Sequence, residues 1–183
     1  MRIVDLRADD ERAIQQAAAL LVEAFREHWP NAWPDMDSAL EEVREAFGEG
    51  RVNRIAVDDD DSLLGWVGAI PGYGGNVWEV HPLAVLPAHQ RKGIGRALIA
   101  DLEALARERG VLTLWLGSDD EDDMTTLSGA DLYADLPGQI ARVRNLRGHP
   151  YEFYQKMGFV IAGVVPDANG LAKPDILMAK RVR

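Results

Sequence analysis

Val77-Trp-Glu-Val-His-Pro-Leu-Ala-Val-Leu-Pro-Ala-His-Gln-Arg-Lys-Gly-Ile-Gly-Arg-Ala-Leu98 decides how the chain is read. It passes from an apolar strand, through a short loop of amide donors and positive charge, into a helix. Within that loop, Gln90, Arg91, Lys92, Gly93, Ile94, Gly95 and Arg96 bring backbone N–H groups to a helix N-terminus, where the macrodipole is positive. Gly93 and Gly95 carry no Cβ, so a phosphate can approach the backbone closely, and Arg91, Lys92 and Arg96 add full charges. The combination predicts a seat for the diphosphate of a cofactor.

Two kinds of diphosphate compete. Gly93-Ile-Gly95 matches the opening of a dinucleotide fingerprint, and Asp119 follows at roughly the ~20 residues expected of a ribose-binding acid. Against this, Leu98 stands where the third glycine belongs. Pro82 and Pro87 also disfavour a central parallel strand, because proline cannot donate to the ladder. The order Gln-x-x-Gly-x-Gly, with basic residues inside it and set between this strand and this helix, resembles the acetyl-coenzyme A pyrophosphate loop of the GNAT acetyltransferase superfamily.

Composition sets the outer bounds. With 183 residues and 47% apolar content, the chain suits one globular domain spanning residues 1–183. No run approaches the ~18 consecutive apolar residues of a membrane span, and the acids in Met1–Asp10 speak against a secretory signal. The absence of cysteine excludes disulfides, thiolate zinc sites and an acyl-cysteine mechanism, and makes the cytoplasm the default compartment. Twenty basic against thirty acidic side chains give a net charge of −10, which argues against a nucleic-acid partner and favours cationic substrates. The four histidines show no ligand spacing, so no metal is expected.

The periodicities lay out the remainder. Arg2–Leu6 reads as a strand. Asp9 or Asp10 caps a helix whose Ile14, Ala17, Ala18, Leu21, Val22 and Phe25 recur at helical spacing. After Trp29-Pro30, Ser38 with Glu41 reads as the capping box of a second helix ending near Gly48. Arg51–Val57 and Leu63–Pro71 form a hairpin around the acidic turn Asp58–Asp61, and Val77–Leu86 is the next strand. Ile94, Ala97, Leu98, Leu102, Leu105 and Ala106 make one face of a helix that Gly110 ends. Val111–Leu116 is a strand, residues 127–146 a partly helical excursion, His149–Met157 a short helix, and Phe159–Val165 and Ile176–Arg181 two last strands. This is the element order of the GNAT fold, an α+β fold with a mixed, mostly antiparallel sheet and flanking helices.

The C-terminal blocks narrow the resemblance. Gly75-Asn-Val-Trp-Glu-Val-His-Pro-Leu83, Leu116-Gly-Ser-Asp-Asp120, His149-Pro-Tyr-Glu-Phe-Tyr-Gln-Lys-Met-Gly-Phe159 and Pro166-Asp-Ala-Asn-Gly170 with Lys173-Pro-Asp-Ile176 resemble the aminoglycoside 6′-N-acetyltransferases of the chromosomal enterococcal type. The blocks keep their order and spacing over most of residues 62–181. Asp119–Asp123 departs from the family in being more acidic. The resemblance implies acetyl-CoA as co-substrate, a small cationic amine as acceptor and relatives that are often homodimers. A polyamine, another small amine or a protein lysine remains an alternative acceptor, and a non-catalytic coenzyme A-binding module an alternative class.

Acetyl transfer from a thioester to an amine requires a held cofactor, a placed amine, a base for its proton and an acid for the leaving thiolate. A chain without cysteine fits direct attack. The resemblance implies that the backbone of Leu83, Ala84 and Val85 pairs with the pantetheine arm and that Gln90–Gly95 holds the pyrophosphate. Glu79 and His81 lie two apart on a strand and share a face. By pattern alone an ion pair between them and a reactive Glu79 are equally good readings. The resemblance selects Glu79 as base or ammonium anchor and leaves His81 structural. Tyr154 stands before Gly158-Phe159 at the spacing of the GNAT tyrosine near the cofactor sulfur, which implies an acid. Asp119, nearest the strand end, and Trp29 are the expected substrate contacts. Trp33, Tyr151 and the Asp58–Asp61 turn receive no role.

Overall fold

The computed structural model describes residues 1–182. Contacts divide them into two compact units, Met1–Leu112 joined by Val182, and Thr113–Arg181.

The first unit contains β1 (Arg2–Asp5), α1 (Glu11–Phe25), α2 (Met36–Glu45), β2 (Val52–Val57), β3 (Leu63–Gly72), β4 (Val77–Val85) and α3 (Ile94–Glu108). Its strands lie in the order β1-β2-β3-β4, each pair antiparallel. Asp10 starts α1 by accepting from the Ala13 N–H. The inward stripe of that helix, Ala13, Ile14, Ala17, Ala18, Leu20 and Leu21, is buried against β2, β3 and α2. Removing each of its leucines from water is worth about 1.5–3 kcal/mol. The cap of α2 is Asp35, not Ser38. The Asp35 carboxylate accepts from both the N–H and the hydroxyl of Ser38, so the serine sits three residues inside the helix. An aspartate outcompetes a serine here because its charge also meets the helix dipole.

A bulge in β4 shapes this unit. Trp66 pairs with Ala84 and Val67 with Leu83, but the next pair is Ala69 with Val80, so Gly68 opposes both His81 and Pro82. A Cβ on Gly68 would overlap the His81 carbonyl oxygen, which is why glycine stands there. The extra residue reverses the alternation of the strand. Glu79, paired with Ile70, comes to share a face with Trp66 and Ala84, the face that α1 and α2 cover. The opposite face is taken by α3. There Arg54 of β2 binds Asp101 at 2.7 Å, and Leu98 lies against Gly65.

The second unit holds β5 (Thr113–Asp119), α4 (Leu136–Ala141), α5 (Tyr151–Lys156), β6 (Val160–Val165) and β7 (Asp175–Arg181). Its strands lie in the order β5-β7-β6, antiparallel throughout. Residues 127–146 are turns around the single short helix α4, as the missing periodicity implied. The fully buried Asp120 organises the turn after β5 by accepting from the Met124 and Thr125 N–H groups and the Thr125 hydroxyl. Both units mix strands with helices, and the α+β class expected from the sequence is the one found.

Candidate active site

The loop from Gln90 to Arg96 has the features of an anion cradle. Gly93 precedes α3 in the left-handed region, φ 88°, and supplies no capping side chain. Open space surrounds its Cβ position. Arg91 also has a positive φ, 59°, which turns the loop sharply before the helix. Among the described residues, no backbone acceptor meets the N–H groups of Arg91 to Arg96, which leaves these donors available near the positive end of α3. The arginines at 91 and 96 are exposed. Lys92 is engaged differently, its ammonium donating to the Ala88 carbonyl at 2.8 Å, which braces the loop. The Gln90 amide donates to the Val85 carbonyl at 3.2 Å and ties the loop to the end of β4. Leu83, Ala84 and Val85 pair on one side with Val67, Trp66 and Gly65 of β3. Free donors, a glycine without neighbours and two exposed guanidinium groups suit the diphosphate of coenzyme A.

Next to the bulge, Glu79 and His81 do not pair with each other. His81 Nε2 lies 3.4 Å from Glu42 Oε1 of α2, and its ring centroid lies 6.2 Å from that of Trp33. Hydrogen bonding from His81, with a further bond from the Trp33 indole, holds the Glu42 carboxyl below the ordinary glutamate range. Glu79 is half-buried, and among the described residues no hydrogen bond or ion pair occupies its carboxylate. A partly desolvated carboxylate without an internal partner is suited to a cation or a proton from outside.

The aromatic residues between α1 and α2 divide their contacts. Trp29 lies 5.8 Å from Phe25 in a tilted contact and 5.6 Å from His28 edge-on, whereas Trp33 meets Phe25 edge-on at 4.6 Å and continues to His81. The tryptophan given no role is thus the one joined to the β4 face. Glu42 was missed as well, although its signal was readable. Ala39, Val43 and Ala46 mark the buried stripe of α2, and a carboxylate at position 42 sits within that stripe.

In the second unit, Tyr154 lies on α5 between two phenyl rings, 5.1 Å from Phe153 and 5.7 Å from Phe159. Burial pushes its phenol well above the ordinary tyrosine range, so the group stays protonated at any physiological pH. Asp119 ends β5, where its carboxylate accepts from the Asn169 amide at 2.6 Å. The rest of the acidic run separates by use. Asp120 is structural, and Asp123 binds Ser128 and Lys173. Glu121 has its carboxyl pushed up by burial and by the neighbouring Asp119.

A model of the acetyltransferase (GNAT) family matches residues 15–126, more than half of the chain, and the chain belongs to that family. It is similar end to end to the crystal structure of an aminoglycoside 6′-N-acetyltransferase complexed with coenzyme A, at 43% identity over 100% of this chain and 98% of that one, TM-score 0.91. The aminoglycoside 6′-N-acetyltransferase from Enterococcus faecium matches at 41% over the same shares, TM-score 0.89. An aminoglycoside 6′-acetyltransferase type Ii matches at 35%, again over 100% and 98%, TM-score 0.75. Comparison with curated proteins finds no match. Family membership disposes of the dinucleotide alternative and agrees with the GNAT resemblance read from the sequence. Among the described residues, no helix is long and apolar enough to cross a membrane.

Proposed function

We propose that residues 1–183 act as one cytoplasmic enzyme domain that transfers an acetyl group from acetyl-CoA to the 6′-amine of aminoglycosides. The observation that carries this reading is the end-to-end likeness, at 41–43% identity, to two enzymes of that activity, one of them holding coenzyme A. The free donors at the start of α3 support it, since they fit the co-substrate's diphosphate.

In this reading acetyl-CoA supplies an activated thioester, and the chain contributes placement and proton transfer. The N–H groups and guanidinium groups of Arg91–Arg96 hold the diphosphate, and the backbone of Leu83–Val85 aligns the pantetheine arm. Holding donor and acceptor in register is worth ~7–11 kcal/mol of barrier. Glu79 anchors the acceptor ammonium and takes its proton. As the amine nitrogen bonds to the carbonyl carbon, the carbon–sulfur bond breaks and Tyr154 protonates the thiolate. Asp119 receives a second ammonium of the acceptor, and Trp29 walls the sugar.

One assay tests the reading: acetyl-CoA consumption with kanamycin-like aminoglycosides, spermidine and lysine peptides in parallel. The aminoglycosides should give the highest kcat/KM, and Glu79→Gln should lower it by about 10²-fold or more, the usual worth of a general base. A polyamine or peptide preferred over every aminoglycoside would replace the acceptor. Tight coenzyme A binding without transfer to any amine would make the chain a binding module. Unchanged kinetics in Glu79→Gln would remove that residue from the site.

A further inference from the structure

His149 belongs to a sequence block that marks the family resemblance, yet the reaction as described leaves it unused. It is 1% exposed, and every polar atom it has is engaged. Its backbone N–H donates to Asn145 Oδ1 at 2.8 Å, and its carbonyl accepts from Asn145 Nδ2 at 2.9 Å, so one amide side chain clamps the residue. Asn145 in turn bridges Thr125, which holds the segment next to the turn that follows β5.

The imidazole spans two elements. Nδ1 accepts from the Tyr151 N–H, the first of α5, at 3.2 Å, and Nε2 lies 3.1 Å from the Asp119 carbonyl at the end of β5. An acceptor at Nδ1 and a carbonyl facing Nε2 leave a single consistent state, neutral with the proton on Nε2. Burial acts in the same direction and lowers the pKa of the ring, against the opposing pull of the Asp119 carbonyl and the Asp120 and Asp119 charges. The two ends of this bridge carry the two candidate groups of the unit. Asp119 is the acceptor-binding carboxylate, and Tyr154 stands one turn along α5 from Tyr151.

We propose that His149 is a positioning residue, whose ring locks the end of β5 to the first turn of α5 and so fixes the Asp119 carboxylate and the Tyr154 hydroxyl in one frame. This rests on the acetyltransferase reading above. Displacement by a fraction of an ångström at either end degrades both acceptor placement and proton delivery, while the diphosphate loop, built on other elements, is untouched.

The test compares His149→Phe and His149→Gln in the full chain under steady state, with thermal melts alongside. Phenylalanine fills the space but cannot donate to Asp119, whereas glutamine keeps an N–H near the Nε2 position. His149→Phe should lower kcat and raise the aminoglycoside KM, for a combined loss of about 10²-fold, a size typical of a misplaced reacting group. Its KM for acetyl-CoA should stay at the wild-type value, and glutamine should restore most of the loss. Wild-type kinetics in His149→Phe, an effect confined to acetyl-CoA, or equal losses in both variants that track their melting temperatures would each overturn the assignment. If the unsubstituted chain itself acetylates no amine, the proposed function fails and this assignment falls with it. If it does acetylate and His149→Phe matches it, the assignment alone fails.

Discussion

Tyr154 lies between the rings of Phe153 and Phe159, and among the described residues no hydrogen bond occupies its hydroxyl. Burial raises the phenol above the ordinary tyrosine range, so the hydroxyl keeps its proton until a strongly basic thiolate forms beside it. Tyr154→Phe removes the proton and keeps the ring. It should lower kcat by about 10²-fold, within the usual range for a general acid, with the acetyl-CoA dissociation constant nearly unchanged. Titration calorimetry beside steady-state kinetics checks this, and a loss seen only in cofactor binding would contradict the acid role. Glu79 presents the complementary case, a half-buried carboxylate without a partner among the described residues, since His81 pairs with Glu42 instead. Two carboxylates near one imidazole are therefore not equivalent. Which of them the histidine would choose depended on a helix more than 30 residues away in sequence, since 81 minus 42 is 39.

At the scale of the element, β4 does the most. Its bulge turns Glu79 and His81 to the side covered by α1 and α2, and Gly68 makes room for the His81 carbonyl. Gly68→Ala forces that carbonyl aside. The cost should be about 1–3 kcal/mol of stability, as for other overpacked sites, together with a higher KM for the amine. Denaturant unfolding and kinetics on the same preparation read both. A variant as stable as wild type with an unchanged amine KM would show that the bulge does not set the position of Glu79. The loop before α3 works by a different rule. Its character comes from what is missing, a capping side chain and a Cβ at Gly93, so its open donors are legible without any tertiary partner.

For the whole molecule, the acids tie stability to pH. Asp35, Asp58, Asp123, Asp135 and Glu42 have carboxyls held below their ordinary values, by backbone or side-chain donors in each case. A group with a depressed folded-state pKa stabilises above its unfolded value and loses that contribution as the pH falls. His149, depressed by burial, acts at higher pH. The unfolded chain protonates its imidazole near 6.5 while the folded one resists, so stability starts to decline below that value. Glu121, pushed upward, opposes the trend alone. Thermal melts from pH 8 to pH 4 should show a melting temperature that falls in two stages, first below about 6.5 and then more steeply below about 4.5. Loss of the first stage in His149→Gln would assign it, and a melting temperature flat from pH 7 to pH 5 would refute it.

The sequence by itself determined the element order and the donor-rich glycine loop before α3, because these depend on residues near one another along the chain. Helical stripes, turn glycines and the donor-rich stretch 90–96 carry their meaning locally. Pairing across distant segments was decided only by the tertiary structure. His81 bound Glu42 rather than Glu79, and Trp33 rather than Trp29 reached the β4 face. His149 found the end of β5, and one extra residue opposite Gly68 turned Glu79 to the face that α1 and α2 cover. A side chain's neighbours in sequence fix its element, but its partner is whichever group the packed backbone leaves within hydrogen-bonding reach.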